Sequence, residues 1–414
     1  MPYLTRVKLD ECRNVRGLDI DLSVSTDQNG TNESEPAKFR HLVLTGPNGS
    51  GKSGILEALA AHVDSILHQD PQTMPRGSET FWDTHPAYEN AADPASSLGL
   101  GPLTIWREEG SNLARAAGAG EMIFLYLLAK RQAEQREVVG PSKLEIALEQ
   151  LRARTQVSPY LLQFLVNKKT EAAFANLDGD RETEARVEAW FATFERSLQR
   201  LMEDERLSIE FDRHAFNFVF RRDGYAFDLR TLADGHAAVL NLLAELLIRV
   251  DAIREKRKDF TFEPEGVVIV DEIETHLHLS LQEQVLPFLT ETFPRFQFLV
   301  ATHSPAVIAS IPNAIVYDLK AQRQVLSDHL RGVPYGTLMT EHFGISSDID
   351  LDSTEKLVRL RALLARSSRG PGEEREIGEL SAVLSLRSPT LAVEVWMAKE
   401  QLGTSSVHLA ERGT

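Results

Sequence analysis

The stretch Gly46-Pro47-Asn48-Gly49-Ser50-Gly51-Lys52-Ser53 fits the pattern G-x-x-x-x-G-K-[ST] without departure. Before it, His41-Leu42-Val43-Leu44-Thr45 reads as a buried strand; after it, Ile55-Leu56-Glu57-Ala58-Leu59-Ala60 reads as a helix. A strand, a glycine-rich turn and a helix N-terminus together aim backbone N–H groups at one point, which suits an anion. In such a unit Gly46, Asn48, Gly49, Ser50, Gly51 and Gly54 line the phosphates. Lys52 reaches the β- and γ-phosphates, and the Ser53 hydroxyl ligates Mg²⁺.

The rest of the composition narrows the setting. At 414 residues and 42% hydrophobic content, the chain can bury a sizeable core. A single cysteine, Cys12, excludes a disulfide framework and a cysteine-built zinc site, and fits a reducing, cytoplasmic compartment. No segment approaches the ~18 consecutive apolar residues of a membrane span, and the N-terminus lacks the apolar core of a secretory leader. A net charge of −16 argues against a generally basic nucleic-acid coat. Nucleic-acid contact would need a local patch, such as Lys130-Arg131 through Arg136, Lys168-Lys169, or Arg254 through Lys258; each reads first as a solvated helix face.

Periodicity divides the chain. Residues 3–24 alternate as strands around a short turn, and Ser25 to Ala37 is polar loop. Residues 69–120 carry little periodicity and read as irregular. Met122 to Leu128 is an apolar run of strand length. Leu144, Ala147, Leu148 and Leu151 then share a helical face, and Val187, Trp190, Phe191, Phe194, Leu198 and Leu201 recur at helical spacing. From Leu207 the period changes to two, with Asp223-Gly224 as a tight-turn signal inside a β-meander. A helix starts at Leu232, strands cover 266–271 and 296–302, and the tail after Leu319 is mostly helical. The expected architecture is α/β: a P-loop core of mixed sheet plus an antiparallel β subdomain, a helical insertion and a helical C-terminal region. The expected divisions are 1–128 and 206–320 for the core, 129–205 for the insertion and 321–414 for the tail.

Two further elements carry chemistry. Gly266-Val267-Val268-Ile269-Val270-Asp271-Glu272 is a doubly buried strand ending in an acidic pair, at the edge where open α/β sheets bind ligands. There Asp271 holds Mg²⁺, and Glu272 orients or deprotonates the attacking water. A second strand, Phe296 to Ala301, delivers Thr302-His303-Ser304-Pro305 to the same edge. A histidine in that place donates a hydrogen bond to the γ-phosphate.

In this order the motifs resemble those of ABC-type ATPases of the SMC, RecF and OLD-like group. Asp271-Glu272-Ile273-Glu274-Thr275-His276-Leu277-His278 is similar to the D-E-P-E-x-H-L-H phrase of soluble bacterial members, and Ala301 to Pro305 resembles their switch-histidine motif. Leu232-Ala233-Asp234-Gly235-His236 is similar to the signature L-S-x-G-[QE]. The resemblance implies that Asp234, Gly235 and His236 contact ATP held by a second copy, so that two chains form an ATP-sandwiched homodimer or higher homo-oligomer. Ala233 stands where the family has serine, and His236 where it has Gln or Glu; both departures bear on the tightness of that dimer. The family also has a glutamine after a strand downstream of the P-loop. Gln132 is a candidate, equally readable as a solvated helical glutamine, and Arg131 beside it could contact phosphate or partner.

His276 and His278 form an H-x-H that reads as loop rather than metal site. Asp348, Asp350 and Asp352 lack the glycine and glutamate of a calcium loop and read as solvated acidic loop. The functional expectation is an ATP-binding and ATP-hydrolysing module with a mechanical or regulatory output. By resemblance, such chains occur in bacterial restriction-associated and anti-phage systems beside a separate effector nuclease encoded nearby. The alternative is a DNA-binding repair or chromosome-maintenance ATPase that acts without an effector.

Overall fold

The computed structural model describes residues 3–23, 39–67, 103–106, 122–129, 135–144, 156–229, 231–343, 349–366 and 368–410. Gln132, Arg131, the Ser25–Ala37 stretch, Asp348 and most of the face that includes Ala147, Leu148 and Leu151 lie outside them.

Three sheets arise from the strand patterns. Strands β1 (Arg6–Cys12), β2 (Val15–Asp21) and β4 (Leu103–Trp106) form an antiparallel sheet in the order β2-β1-β4. The last of these corrects the reading of 69–120 as irregular: residues 103–106 pair with β1, Val7 opposite Ile105. The central sheet runs β12-β11-β3-β10-β9-β5, from β3 (His41–Thr45), β5 (Met122–Leu127), β9 (Glu265–Val270), β10 (Phe296–Ala301), β11 (Ala314–Asp318) and β12 (Arg323–Leu326). Its five inner-sequence strands are parallel, and only β12 is antiparallel, to β11. The tail after Leu319 therefore opens with a strand. β6 (Ser208–Asp212), β7 (Asn217–Arg222) and β8 (Tyr225–Asp228) form the expected meander, with Asp223 and Gly224 both at positive φ in its turn.

Parallel strands covered on both faces are apolar at every position. Leu42, Leu44, Phe124, Tyr126, Val267, Ile269, Leu299 and Ala301 pack with Val7, Leu9, Leu18 and Ile20 of the first sheet. Ile55, Leu56 and Leu59 of α1 (Lys52–Leu67) join the same cluster. The intervening Val43, Val268, Val270, Phe298 and Val300 are buried as well. Gln297, in the middle of this apolar strand, is wholly buried because both ends of its amide are used: Oε1 accepts from Leu4 N, and Nε2 donates to the Leu4 and Arg40 carbonyls, all at 2.8 Å.

His41 is another buried polar group of the central sheet. Its Nδ1 accepts the Phe298 N–H at 3.1 Å, which requires a neutral ring, and burial lowers its pKa to about 4. The unfolded chain takes up this proton near pH 6.5, whereas the folded chain resists it down to about pH 4. The ring therefore stabilises the fold above that window, and stability is lost as pH falls through it. Urea unfolding should lose about 2 kcal/mol between pH 7 and pH 5 from this group. His41→Asn should flatten that part of the profile, and an unchanged slope would refute the assignment.

Helices α2 (Leu161–Asp178) and α3 (Arg181–Leu201) form the insertion. Gly179 at φ 75 ends the first, Asp180 N donates back to the Ala175 carbonyl, and the Asp180 carboxylate caps the second through Thr183 N. Trp190 stacks among Phe164, Phe191 and Phe194. Helix α4 (Asp234–Arg257) is buried along most of its length, yet carries Glu245 and Arg249 at 2% and 0% exposure. The Glu245 carboxylate accepts the Val157 and Ser158 N–H groups at 2.8 and 2.7 Å, just before α2, and pairs with Arg249. After α4 come α5 (Leu279–Thr292), α6 (Pro305–Ile308) and α7 (Tyr335–His342).

The chain divides into two compact units, the second comprising 339–341 and 345–414. The second unit contains α8 (Leu351–Leu364), α9 (Pro371–Arg387) and α10 (Pro389–Ala410), with a core of Leu357, Leu360, Leu363, Ile377, Leu384, Leu391 and Val395. Asp350 and Asp352 are solvated, as their alternation suggests, but belong to a helix start rather than a loop. Asp350 caps α8 through Ser353 N at 2.9 Å, and Asp352 pairs with Lys356 and Arg387.

Candidate functional site

The order of the central sheet places three sequence motifs side by side. β10 lies between β3 and β9, so the turns leaving β3, β10 and β9 meet at one carboxyl edge. The ladder continues past the strand ends: Thr302 N donates to Leu44 O, Ile273 N to Ala301 O and Asp271 N to Leu127 O.

Gly46, Gly49 and Gly51 all have positive φ, the conformation that lets the loop turn its amides inward. At Gly51 a Cβ would stand 2.6 Å from Val15 and 2.9 Å from Asn14. The β1–β2 turn thus buttresses the loop, and Asn14 Nδ2 adds a hydrogen bond to the Gly49 carbonyl at 2.8 Å. Asn48 and Ser53 are exposed, Gly54 is buried against Arg13, and the buried Ser50 Oγ has no protein partner. Lys52, 6% exposed, folds back onto the loop: Nζ donates to the Gly46 and Pro47 carbonyls at 2.9 and 3.2 Å. Burial lowers its pKa, opposed by Glu274, Asp271 and Glu272 in that order.

His303 Nδ1 lies 3.5 Å from Lys52 Nζ. An ammonium only donates, so Nδ1 is the acceptor and the ring proton sits on Nε2, free to face a ligand. Burial and then the Lys52 charge lower the His303 pKa, which keeps the ring neutral. Asp271 is 5% exposed at the end of β9. Glu272 follows at φ 46, a left-handed conformation that a glutamate adopts at a cost of about 1–3 kcal/mol. Its carboxylate accepts the Thr275 hydroxyl at 3.3 Å. A second left-handed residue, His276, ends the turn. Lys52, Asp271, Glu272 and His303 are therefore brought together. Glu274 joins them, although the sequence motif gave it no role of its own.

Asp234, Gly235 and His236 stand at the start of α4, where Gly235 lies against His276 and Leu277 of the loop after β9. A Cβ on Gly235 would come within 2.9 Å of the His276 carbonyl, so the helix start rests directly on that loop. Asp234 is exposed; His236 is half-buried, with its pKa lowered by burial and by Arg222 and His278. Ala233 offers no side-chain cap to the first N–H groups of α4. His276 and His278 are both exposed, and no cluster of three or more metal-ligating side chains occurs among the described residues.

In the described basic runs some side chains are engaged, while Lys256, Arg257 and Lys258 stay exposed. Lys168 is buried against Asp251 at 2.8 Å, Lys169 lies over the Phe191 ring, and Arg257 over Phe262. No helix among the described residues is long and apolar enough to cross a membrane.

Residues 148–309 match the family described as "AAA domain, putative AbiEii toxin, Type IV TA system". Over 406 residues, 92% of its length, the chain is 23% identical to the Septu protein PtuA of Bacillus mycoides, spanning 50% of that protein. The chain is thus similar, over part of its length, to an AAA-type domain family. It is also 26% identical over 179 residues, 43% of its length, to the Retron Ec83 probable ATPase of Escherichia coli, of which it spans 32%. The chain thus spans half or less of the length of these curated relatives. Among solved structures, the SMC head domain from Thermotoga maritima matches at 16% identity and a TM-score of 0.34, covering 76% of this chain and 94% of that one.

Proposed function

We propose that this ATPase binds Mg-ATP at the Gly46–Ser53 loop, hydrolyses it, and closes on it as a head-to-tail homodimer. The reading is carried by the convergence of Lys52, Asp271, Glu272 and His303 at one sheet edge. Lys52 leaves the Gly46 and Pro47 carbonyls for the β- and γ-phosphates. His303 Nε2–H donates to the γ-phosphate, and Glu272 orients the attacking water and takes up its proton. Positive-φ glycines, the partnerless Ser50 hydroxyl, the buried Asp271 carboxylate and the exposed Ser53 fit a magnesium nucleotide. Mg²⁺, held by Ser53 and Asp271, would neutralise phosphate charge. The uncapped start of α4, with Asp234, Gly235 and His236, faces the γ-phosphate held by the second copy.

The kinship with Septu PtuA and a retron ATPase supports a place in bacterial anti-phage defence, with the ATP cycle relayed to a separate effector nuclease. Of the candidate basic patches, Lys168 is buried in an ion pair with Asp251 and Lys169 lies over Phe191, which weighs against that patch serving the alternative, a DNA-repair or chromosome-maintenance ATPase. DNA-stimulated turnover that collapses as salt rises would favour that alternative.

Lys52→Ala tests the site. Losing a charge-assisted contact of about 1.5–3 kcal/mol should weaken Mg-ATP binding by about 10- to 100-fold and bring phosphate release to background. Titration with a fluorescent ATP analogue and a phosphate-release assay would show it. Undiminished affinity would exclude this loop as the nucleotide site.

A further inference from the structure

The turn that presents His303 is held by one carboxylate. Glu274 Oε1 accepts the His303 backbone N–H at 2.5 Å, and Oε2 accepts the Thr302 hydroxyl at 2.8 Å. Thr302 Oγ1 in turn accepts the Ser304 N–H at 3.0 Å. The backbone on both sides of the histidine Cα is thus tied, directly or through one hydroxyl, to the loop that carries Glu272. A second tie runs in parallel: the Ser304 hydroxyl donates to Gln282 Oε1 at 2.7 Å, and Gln282 Nε2 donates to the Leu277 carbonyl at 2.7 Å. Bonds from a carboxylate to N–H and O–H groups are charge-assisted and among the stronger ones a protein makes.

We propose that Glu274 is the positioning residue for γ-phosphate sensing. It sets the place of the His303 ring against Lys52 by holding the 302–304 backbone, without touching the nucleotide. The proposal rests on the ATPase reading above. Its chemistry separates position from charge. Glu274→Ala leaves the His303 N–H and the Thr302 hydroxyl without their acceptor, and frees the ring. Glu274→Gln keeps the shape: its amide oxygen accepts the His303 N–H, and its amide N–H donates to Thr302 Oγ1.

The test measures Mg-ATP turnover, Mg-ATP and Mg-ADP affinity, and thermal stability on the full chain and both variants. Displacing a group that contacts the reacting phosphate by about 1 Å costs on the order of 100-fold, so Glu274→Ala should lower kcat by about 10- to 100-fold. It should also erode the preference for Mg-ATP over Mg-ADP, while Mg-ADP affinity stays with the intact P-loop. Glu274→Gln should remain within about threefold of the parent, as a retained hydrogen-bond geometry predicts. The proposal is overturned by Glu274→Ala turning over at the parent rate, by Mg-ADP affinity falling in step with Mg-ATP affinity, or by Glu274→Gln failing as badly as Glu274→Ala. A parent chain that releases no phosphate from Mg-ATP would instead remove the ATPase reading, and this inference with it.

Discussion

Glu272→Gln should reduce ATP turnover by about 100-fold or more, while Mg-ATP affinity stays within a small factor of the parent. The side chain leaves a strand end in a left-handed turn and is steered by the Thr275 hydroxyl, so its direction is set by the backbone rather than by the nucleotide. Glutamine has the same shape and tolerates the same turn. What it lacks is the capacity to take a proton from water, and removing a positioned general base costs about 10²–10⁴-fold. Binding rests on other atoms, the P-loop amides and Lys52, and should survive. If ATP holds two copies together and hydrolysis releases them, the variant should accumulate as a dimer with Mg-ATP and revert to monomer with Mg-ADP, seen by sedimentation velocity. Turnover at the parent rate would mean that Glu272 is not the catalytic carboxylate. Lost turnover without a nucleotide-dependent change in mass would keep the chemistry and remove the dimer.

The parts of the site that the sequence reveals are those whose signal is local. Gly46 to Ser53 lie within eight consecutive positions, and each glycine there answers a backbone demand visible in its φ. Asp271-Glu272 ends a run of β-branched residues, and the meander announces itself through period-two alternation around Asp223-Gly224. What stays hidden depends on distant partners. Glu274 meets Thr302 and His303 across 28 and 29 positions, Asn14 meets Gly49 across 35, and Gln297 meets Leu4 across 293. No periodicity encodes such pairings. The strand Leu103–Trp106 is missed for the same reason: four residues carry too little pattern, and only β1 beside them makes them a strand. Asp350 and Asp352 show a different limit: alternating acids look like loop, and stay solvent-exposed, until Ser353 N and Arg387 are seen to set them at a helix start.

The largest effect on stability should come from Glu245→Ala, which is expected to cost about 3–5 kcal/mol, the range for removing one partner of a buried ion pair. Glu245 and Arg249 sit one helical turn apart at 2% and 0% exposure. The same carboxylate also accepts two backbone N–H groups, from Val157 and Ser158, where the chain enters the insertion; Pro159 follows and has no N–H to offer. Alanine therefore removes a helix-entry cap worth about 0.5–2 kcal/mol as well as the counter-charge of a guanidinium sealed from water. The counter-charge dominates, and a variant series can separate the two. Glu245→Gln keeps an oxygen for the two N–H groups but not the charge, so it should recover only the smaller share. Adding Arg249→Met to Glu245→Ala removes the buried cation and should recover most of the rest, giving a coupling energy well above the few tenths of a kcal/mol seen for independent sites. Urea unfolding with a common m-value would read the parent, Glu245→Ala, Glu245→Gln, Arg249→Met alone and the double variant. Additive single and double variants would mean that the pair is not coupled. They would place the cost of Glu245→Ala in the lost cap and the vacated volume instead.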